Sequence, residues 1–316
     1  MNTEVLKAAE LLKQGEIGAI PTETVYGLAG NALNESAILK IFEAKNRPFF
    51  DPLIVHIAAF NQIEDFVEEI PAKAQILAQA FWPGPLTLLL KKKPVISDLV
   101  TAGSDLVAIR IPNHPISLEL LKSLDFPLAA PSANLFGYVS PTEAKHVTQQ
   151  LGEKISFIID GGSCEIGLES TIVGFENDKM IVYRVGGISL EELQRIGGEF
   201  ELNINQSSNP KAPGMLKSHY APSKKVIFRN WGDYLSNISS ENLGIIAFDS
   251  FYEFVPIENQ RILSQKSDLN EAARNLFSAL RSFEDSDVAF ILAEEFPNEG
   301  LGRAINDRLS RASFEF

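Results

Sequence analysis

The chain has 316 residues, 45% hydrophobic and 22% charged, with a formal net charge of -13 and a mean hydropathy of +0.02. This size favours two domains with separate cores, and the balance excludes a disordered or membrane-embedded chain. The charge disfavours a broad nucleic-acid grip, because binding phosphate needs a positive footprint; it leaves room for a local basic pocket inside an acidic surface.

The predicted elements follow in chain order. Residues 3–14 read as an amphipathic helix, with Val5, Leu6, Ala9, Leu11 and Leu12 at helical spacing, Thr3 as N-cap and Gly15 as stop. Ile17 to Ile20 reads as a short buried strand ending at Pro21, and Glu35 to Ala44 as a helix. Strands are expected at 53–57, 87–90, 107–111, 128–130 and 155–159, and a hairpin from 171–175 and 181–185 around Glu176-Asn177-Asp178-Lys179. Helices at 72–80, 116–122, 142–150 and 190–196 alternate with them, with Ser140-Pro141 as a helix start. The interspersed elements and the hairpin predict a mixed α/β sheet for residues 1–202.

Residues 203–224 are polar, turn-rich and aperiodic, so they read as a linker. They also carry Met215, His219 and Tyr220, side chains a passive linker rarely needs, so the segment is expected either to pack on a domain surface or to cover a site. From 225 to 316, strands at 226–228, 243–248 and 288–292, a helix at 269–283 and a closing helix from Gly300 predict a smaller, parallel, Rossmann-like α/β domain. It has no G-x-G-x-x-G fingerprint.

The single cysteine, Cys164, rules out an intrachain disulfide and a cysteine zinc cage. Residues 1–7 lack the basic and apolar regions of a signal peptide. A cytoplasmic chain with no membrane contact is expected.

Several segments carry chemistry. Pro21-Thr22-Glu23-Thr24-Val25-Tyr26-Gly27 follows a strand, where α/β folds place ligand loops, although a simple strand-ending turn explains it equally well. Lys45 and Arg47 end a helix, and cations there favour the helix dipole. Pro48, Asp51 and the strand ending at His56 shift the balance toward an anion loop, since arginine offers a rigid fork to phosphate or carboxylate. Pro131-Ser132-Ala133-Asn134 ends another apolar strand, and Ser140 opens a helix whose N–H groups favour anions. Arg110 and Arg184 lie inside apolar strands, where a guanidinium is costly unless paired. An anionic ligand or an internal carboxylate, such as that of Glu169, would satisfy them. Walker A, H-E-x-x-H, G-x-S-x-G and kinase signatures are absent, and the four histidines show no metal-ligand spacing.

Taken together these segments resemble the YrdC-like family in its long, two-domain form, the threonylcarbamoyl-AMP synthases. The matching stretches are Pro-Thr-Glu-Thr-Val-Tyr-Gly at 21–27, Lys-x-Arg-Pro at 45–48, Pro-Leu-Ile-Val-His at 52–56 and Phe-Trp-Pro-Gly-Pro-Leu-Thr at 81–87. Ala-Pro-Ser-Ala-Asn at 130–134, Glu-Ser-Thr at 169–171 and His-Tyr-Ala-Pro at 219–222 continue the series. Gly-Leu-Gly-Arg-Ala and Arg-Leu-Ser-Arg-Ala near the C-terminus resemble the family's second domain. Each motif is weak alone; the ordered set is specific.

The resemblance implies a nucleotidyltransferase. It would make L-threonylcarbamoyladenylate and pyrophosphate from L-threonine, bicarbonate or CO2, and ATP with Mg2+. Implied partners are downstream threonylcarbamoyl-transfer proteins that modify tRNA beside the anticodon, with room for a weak tRNA contact. By matched position, Thr24, Tyr26, His56, Arg110, Ala130 and Ser170 would surround threonine, with Arg110 clamping its carboxylate. Lys45, Arg47, Asp51, Ser132, Asn134, Ser140, Arg184 and Tyr220 would serve the nucleotide, and no protein ligand to a metal is expected. Asp51 stands where the family more often has asparagine; an ionised carboxylate there repels phosphate unless it meets magnesium or Arg47. Two other readings exist. A carbamoyl-transfer domain of hydrogenase-maturation type would need cysteine zinc modules, and an RNA-binding module on the same fold is disfavoured by the net charge of -13.

Overall fold

The computed structural model describes residues 2–177, 179–204, 220–229, 231–235 and 238–314. Most of the expected linker, including Met215 and His219, lies outside these described residues.

The first sheet has ten strands, in the spatial order Phe200–Leu202, Lys179–Arg184, Thr171–Glu176, Leu86–Lys91, Leu106–Arg110, Ile54–His56, Leu128–Ala129, Gly27–Asn31, Gly18–Ile20, Phe157–Ile158. Its pairings are mixed: Ile54–His56 runs parallel to Leu106–Arg110, while Leu86–Lys91 is antiparallel to that same strand. Its central strands bury nearly every residue, which fits their unbroken apolar sequences. Ile38, Ile41, Leu88, Ile109, Val173 and Val182 are all fully buried in the core between sheet and helices. Each such side chain contributes about 1.5–3 kcal/mol.

Local chemistry sets the element ends. The first helix, Thr3–Lys13, is capped by the Asn2 side chain accepting from the Glu4 N–H at 3.0 Å, so Thr3 is the first helical residue rather than the cap. The helix Glu35–Lys45 starts at an Asn34 cap and ends at Asn46, whose φ of 52° is left-handed. The expected helix start at Ser140 is not used. That helix runs Ala144–Leu151, because the Ser140 hydroxyl is committed to Glu169 and the Pro141 carbonyl to the Tyr26 N–H.

Three strands exceed the sequence reading: Gly27–Asn31, Phe200–Leu202 and Gln260–Ile262. In the first, a Cβ on Gly30 would lie 3.0 Å from Ile41 Cδ1 and 3.1 Å from Ile17 Cγ2, so glycine permits close helix packing there.

The second sheet is wholly parallel, in the order Lys225–Phe228, Phe290–Ala293, Leu243–Ala247, Gln260–Ile262. Helices Leu269–Arg281 and Gly302–Ala312 bury Leu276, Phe277, Leu280, Ile305 and Leu309. Both helices also contact the first domain. Arg281 donates to the backbone carbonyls of Val139 and Ser140, and Arg308 bonds Glu169. No helix among the described residues is long and apolar enough to cross a membrane.

Candidate active site

A cleft opens where strand ends and three loops converge on the first domain. Parallel pairing sets one wall: His56 and Arg110 are register partners at the ends of adjacent strands. Ala130 joins them through its N–H on the Ile54 carbonyl at 2.9 Å.

The loop after Gly18–Ile20 is knitted by Thr22. Its hydroxyl donates to the Val25 carbonyl at 2.6 Å, accepts the N–H groups of Thr24 and Val25 at 3.2 Å, and sits 2.8 Å from the Thr24 hydroxyl. Both threonines line the cleft. Tyr26 does not. Its hydroxyl donates to the Gly162 carbonyl at 2.7 Å and accepts from the Gly161 N–H at 3.0 Å, so it braces the neighbouring loop.

Left-handed Asn46 separates two cations with different tasks. Lys45 is buried, and its Nζ bonds the carbonyls of Ser132 and Asn134 at 2.5 and 2.6 Å. It therefore holds the 132–134 loop and is not a lining residue. Arg47 does line the cleft. Its Nε donates to the Asp51 carbonyl at 3.1 Å, and its Nη2 reaches the Pro52 carbonyl at 2.7 Å and Asp51 Oδ2 at 3.0 Å. Asp51 thus meets Arg47, fully buried behind it. Burial pushes the Asp51 carboxyl upward, opposed by the charges of Arg47 and Lys45. Asn134 also sits behind the surface: its amide nitrogen donates to the carbonyls of Leu135 and Tyr138.

Ser132 lines the opening, whereas Ser140 stands one layer back, its hydroxyl on Glu169 Oε1 at 2.6 Å. Glu169 and Ser170 lie beside it on the cleft wall, just before the hairpin. A register shift between Ile172 and Val173 brings Arg184 onto Ser170, with Nε on its carbonyl and Nη2 on its hydroxyl, both at 3.0 Å. Thr87 fixes the same hydroxyl at 2.7 Å.

Arg110 is anchored by Nε on the Gly84 carbonyl at 3.2 Å, and its Nη2 lies 2.7 Å from Glu23 Oε1. The sequence reading missed Glu23 as a site residue. Its position in the threonine-rich loop, opposite an arginine in an apolar strand, was the available signal. Tyr220 closes the cleft from the second-domain side. Its ring stacks on Phe277 at 5.4 Å, and the Arg308 guanidinium lies 5.1 Å from its centroid. Arg308 was missed as a site residue too, although it opens the Arg-Leu-Ser-Arg-Ala stretch at 308–312.

The guanidiniums of Arg47, Arg110, Arg184 and Arg308, all buried, outnumber the buried carboxylates of Glu23, Asp51 and Glu169. The site is therefore positive inside an acidic chain, which suits an anionic ligand. Burial, aided by the Arg110 charge, pushes His56 down to about 3, so its ring is neutral. Burial pushes the Cys164 thiol up to about 12, leaving no thiolate nucleophile there. Burial would raise Glu169, but Arg308, Arg184 and the Ser140 hydroxyl hold it below the usual value. Each carboxylate is thus committed to a guanidinium. Among the described residues no group of three or more His, Cys, Asp or Glu could hold a metal.

The chain as a whole is similar to known proteins. A family model described as "Telomere recombination" (Sua5, YciO and YrdC) matches residues 10–186, and one described as "Threonylcarbamoyl-AMP synthase, C-terminal domain" matches 188–313. The threonylcarbamoyl-AMP synthase of Pyrococcus abyssi is 42% identical over 97% of this chain and 93% of its own length. That of Bacillus subtilis is 40% identical over 98% and 93%. The crystal structure of P. abyssi Sua5 complexed with L-threonine superposes with a TM-score of 0.91 at 41% identity, covering 98% of this chain and 94% of that one. Two domain matches in order and near-complete coverage leave one conclusion: this chain belongs to the Sua5/YciO/YrdC family, in the two-domain form of the threonylcarbamoyl-AMP synthases.

Proposed function

We propose that the protein is a threonylcarbamoyl-AMP synthase that joins L-threonine, CO2 from bicarbonate, and ATP into L-threonylcarbamoyladenylate and pyrophosphate. The observation that carries this reading is the pairing of two cation groups in one cleft. Arg110 stands with neutral His56 at the ends of adjacent strands, Arg47 and Arg184 on other walls, and Tyr220 beside them. A small amino acid and a polyphosphate need that division. The relative whose structure holds L-threonine shares the fold at a TM-score of 0.91.

The residues suggest roles. Arg110 meets the substrate carboxylate while Glu23 and Gly84 fix its fork. Neutral His56, Thr24, Ala130 and Ser170 complete a small polar pocket. Arg47, Arg184 and Ser132 take phosphate oxygens, and Tyr220 covers the nucleotide. Lys45, Asp51, Asn134, Ser140 and Tyr26 act from behind, holding the groups that touch ligand. Magnesium enters as part of the ATP complex, with waters and phosphate oxygens as its ligands.

The reaction needs no covalent enzyme intermediate. The threonine amine attacks CO2, an N–C bond forms, and the proton lost from nitrogen passes to the hydroxide that bicarbonate releases, giving water. A carbamate oxygen then attacks the α-phosphorus, and the bond to pyrophosphate breaks. Oriented reactants and fixed guanidiniums supply the catalysis. The product is suited to a threonylcarbamoyl-transfer step onto tRNA beside the anticodon. Downstream transfer proteins are the expected recipients, and a weak tRNA contact is compatible with the cleft's local charge.

The test is pyrophosphate release from ATP and bicarbonate with threonine, serine or no amino acid. Release that depends on threonine supports the reading. Release independent of any amino acid overturns it.

A further inference from the structure

We propose that Arg308, in the second domain, is a positioning residue of the first domain's cleft, holding Glu169 and Tyr220 for nucleotide binding. This rests on the synthase reading above and assigns the second domain a part in the site.

Arg308 is fully buried, and all three of its nitrogens are engaged. Nε bonds Glu169 Oε2 at 2.9 Å, Nη2 the Val185 carbonyl at 3.0 Å, and Nη1 Asp307 Oδ2 at 2.7 Å. Its guanidinium also faces the Tyr220 ring. Glu169 in turn accepts the Ser140 hydroxyl on Oε1, so its two oxygens are divided between a second-domain cation and a first-domain hydroxyl. Two of the lining residues therefore take their geometry from a helix of the other domain. Arg281 reinforces the same place through the Val139 and Ser140 carbonyls.

Removing the Arg308 charge leaves Glu169 in the field of Arg184, its other cationic neighbour. A carboxylate drawn toward Arg184 competes with phosphate for it. The Tyr220 ring loses its cationic face at the same time. The threonine end is reached only indirectly, through the Arg184 bonds to Ser170, while its Arg110–Glu23 pair makes no contact with Arg308. A merely structural bridge between domains would weaken both substrates alike or alter stability alone.

The experiment compares Arg308→Met, Arg308→Lys and the double variant Arg308→Met/Glu169→Gln in the full chain. It reads KM for ATP and threonine from pyrophosphate release, and ATP affinity by calorimetry. Arg308→Met is expected to raise the ATP KM and Kd by about tenfold or more, with the threonine KM changed by less than about threefold. Arg308→Lys should recover part of the loss. The double variant, which removes the uncompensated carboxylate, should bind ATP tighter than Arg308→Met alone; if the single variant does not fold, the double variant and Arg308→Lys are read against the parent. Unchanged ATP affinity, or equal effects on both substrates, overturns the proposal. If the parent binds ATP but shows no threonine-dependent release, the synthase reading fails separately, and the ATP affinities still decide the role of Arg308.

Discussion

Glu23 and Arg110 meet 2.7 Å apart in the interior, their side chains 3% and 4% exposed, one from a loop and one from a strand end. The loop glutamate does for the strand arginine what a substrate carboxylate would do from the other side. Neither Glu23 oxygen makes a hydrogen bond within the protein, so the contact is ionic, with lone pairs left over.

Replacing Arg110 with lysine keeps the charge and loses the fork. Arg110→Lys should raise the threonine KM by about tenfold or more and the ATP KM far less. Steady-state kinetics with each substrate varied in turn would show it. Equal changes in both would contradict the carboxylate-clamp role.

His56 gives a pH signature in stability. Its folded pKa is pushed down to about 3, first by burial and then by Arg110, against about 6.5 in the unfolded chain. Between those values the unfolded state takes up a proton that the native state refuses. Stability is therefore fully present above about pH 6.5 and falls as pH drops, by about 1.4 kcal/mol per pH unit. His146, pushed down to about 4 by burial, adds to the same slope. Urea unfolding at pH 7, 6 and 5 should show a shallower slope for His56→Asn than for the parent; an identical slope would place a proton on His56 in the native state.

Lys45 binds two carbonyls and lies outside the cleft lining. Lys45→Met strands both acceptors, so a loss of about 2 kcal/mol is expected, together with weaker ATP binding as the Ser132 loop relaxes. Chemical denaturation and ATP titration are the readouts. ATP binding lost with stability intact would indicate a direct contact instead.

Asp51 offsets the charge of Arg47 at 3.0 Å. In Asp51→Asn the guanidinium is buried with less compensation, at a cost on the order of 3 kcal/mol without ligand. An anion can supply the missing charge, so ATP should bind tighter and raise Tm more than in the parent. Weaker binding in this variant would assign Asp51 a direct part in holding the nucleotide complex.

The strands that carry the site were legible because each is an apolar run closed by a proline or a charged turn, as at Ile109-Arg110-Ile111-Pro112 and Ala129-Ala130-Pro131. The elements missed lacked that contrast. Gly27–Asn31 reads Gly-Leu-Ala-Gly-Asn, and it becomes a strand through pairing with both neighbours and through helix packing that only small residues allow. The positive cleft was also legible, since arginines in apolar strands need partners. Which cations touch the opening was not, because Lys45 and Arg47 differ only by the left-handed turn at Asn46. The Ser140 helix start failed because a partner distant in sequence, Glu169, takes the hydroxyl that would have capped it. Arg308 lies 139 residues from Glu169, and no local pattern announces such a contact.

Product mass after incubation with ATP, threonine and 13C-bicarbonate is the most direct test of the chemistry. An adenylate carrying threonine and one labelled carbon is the predicted result. A threonyl-adenylate without the label, or no adenylate at all, would contradict it.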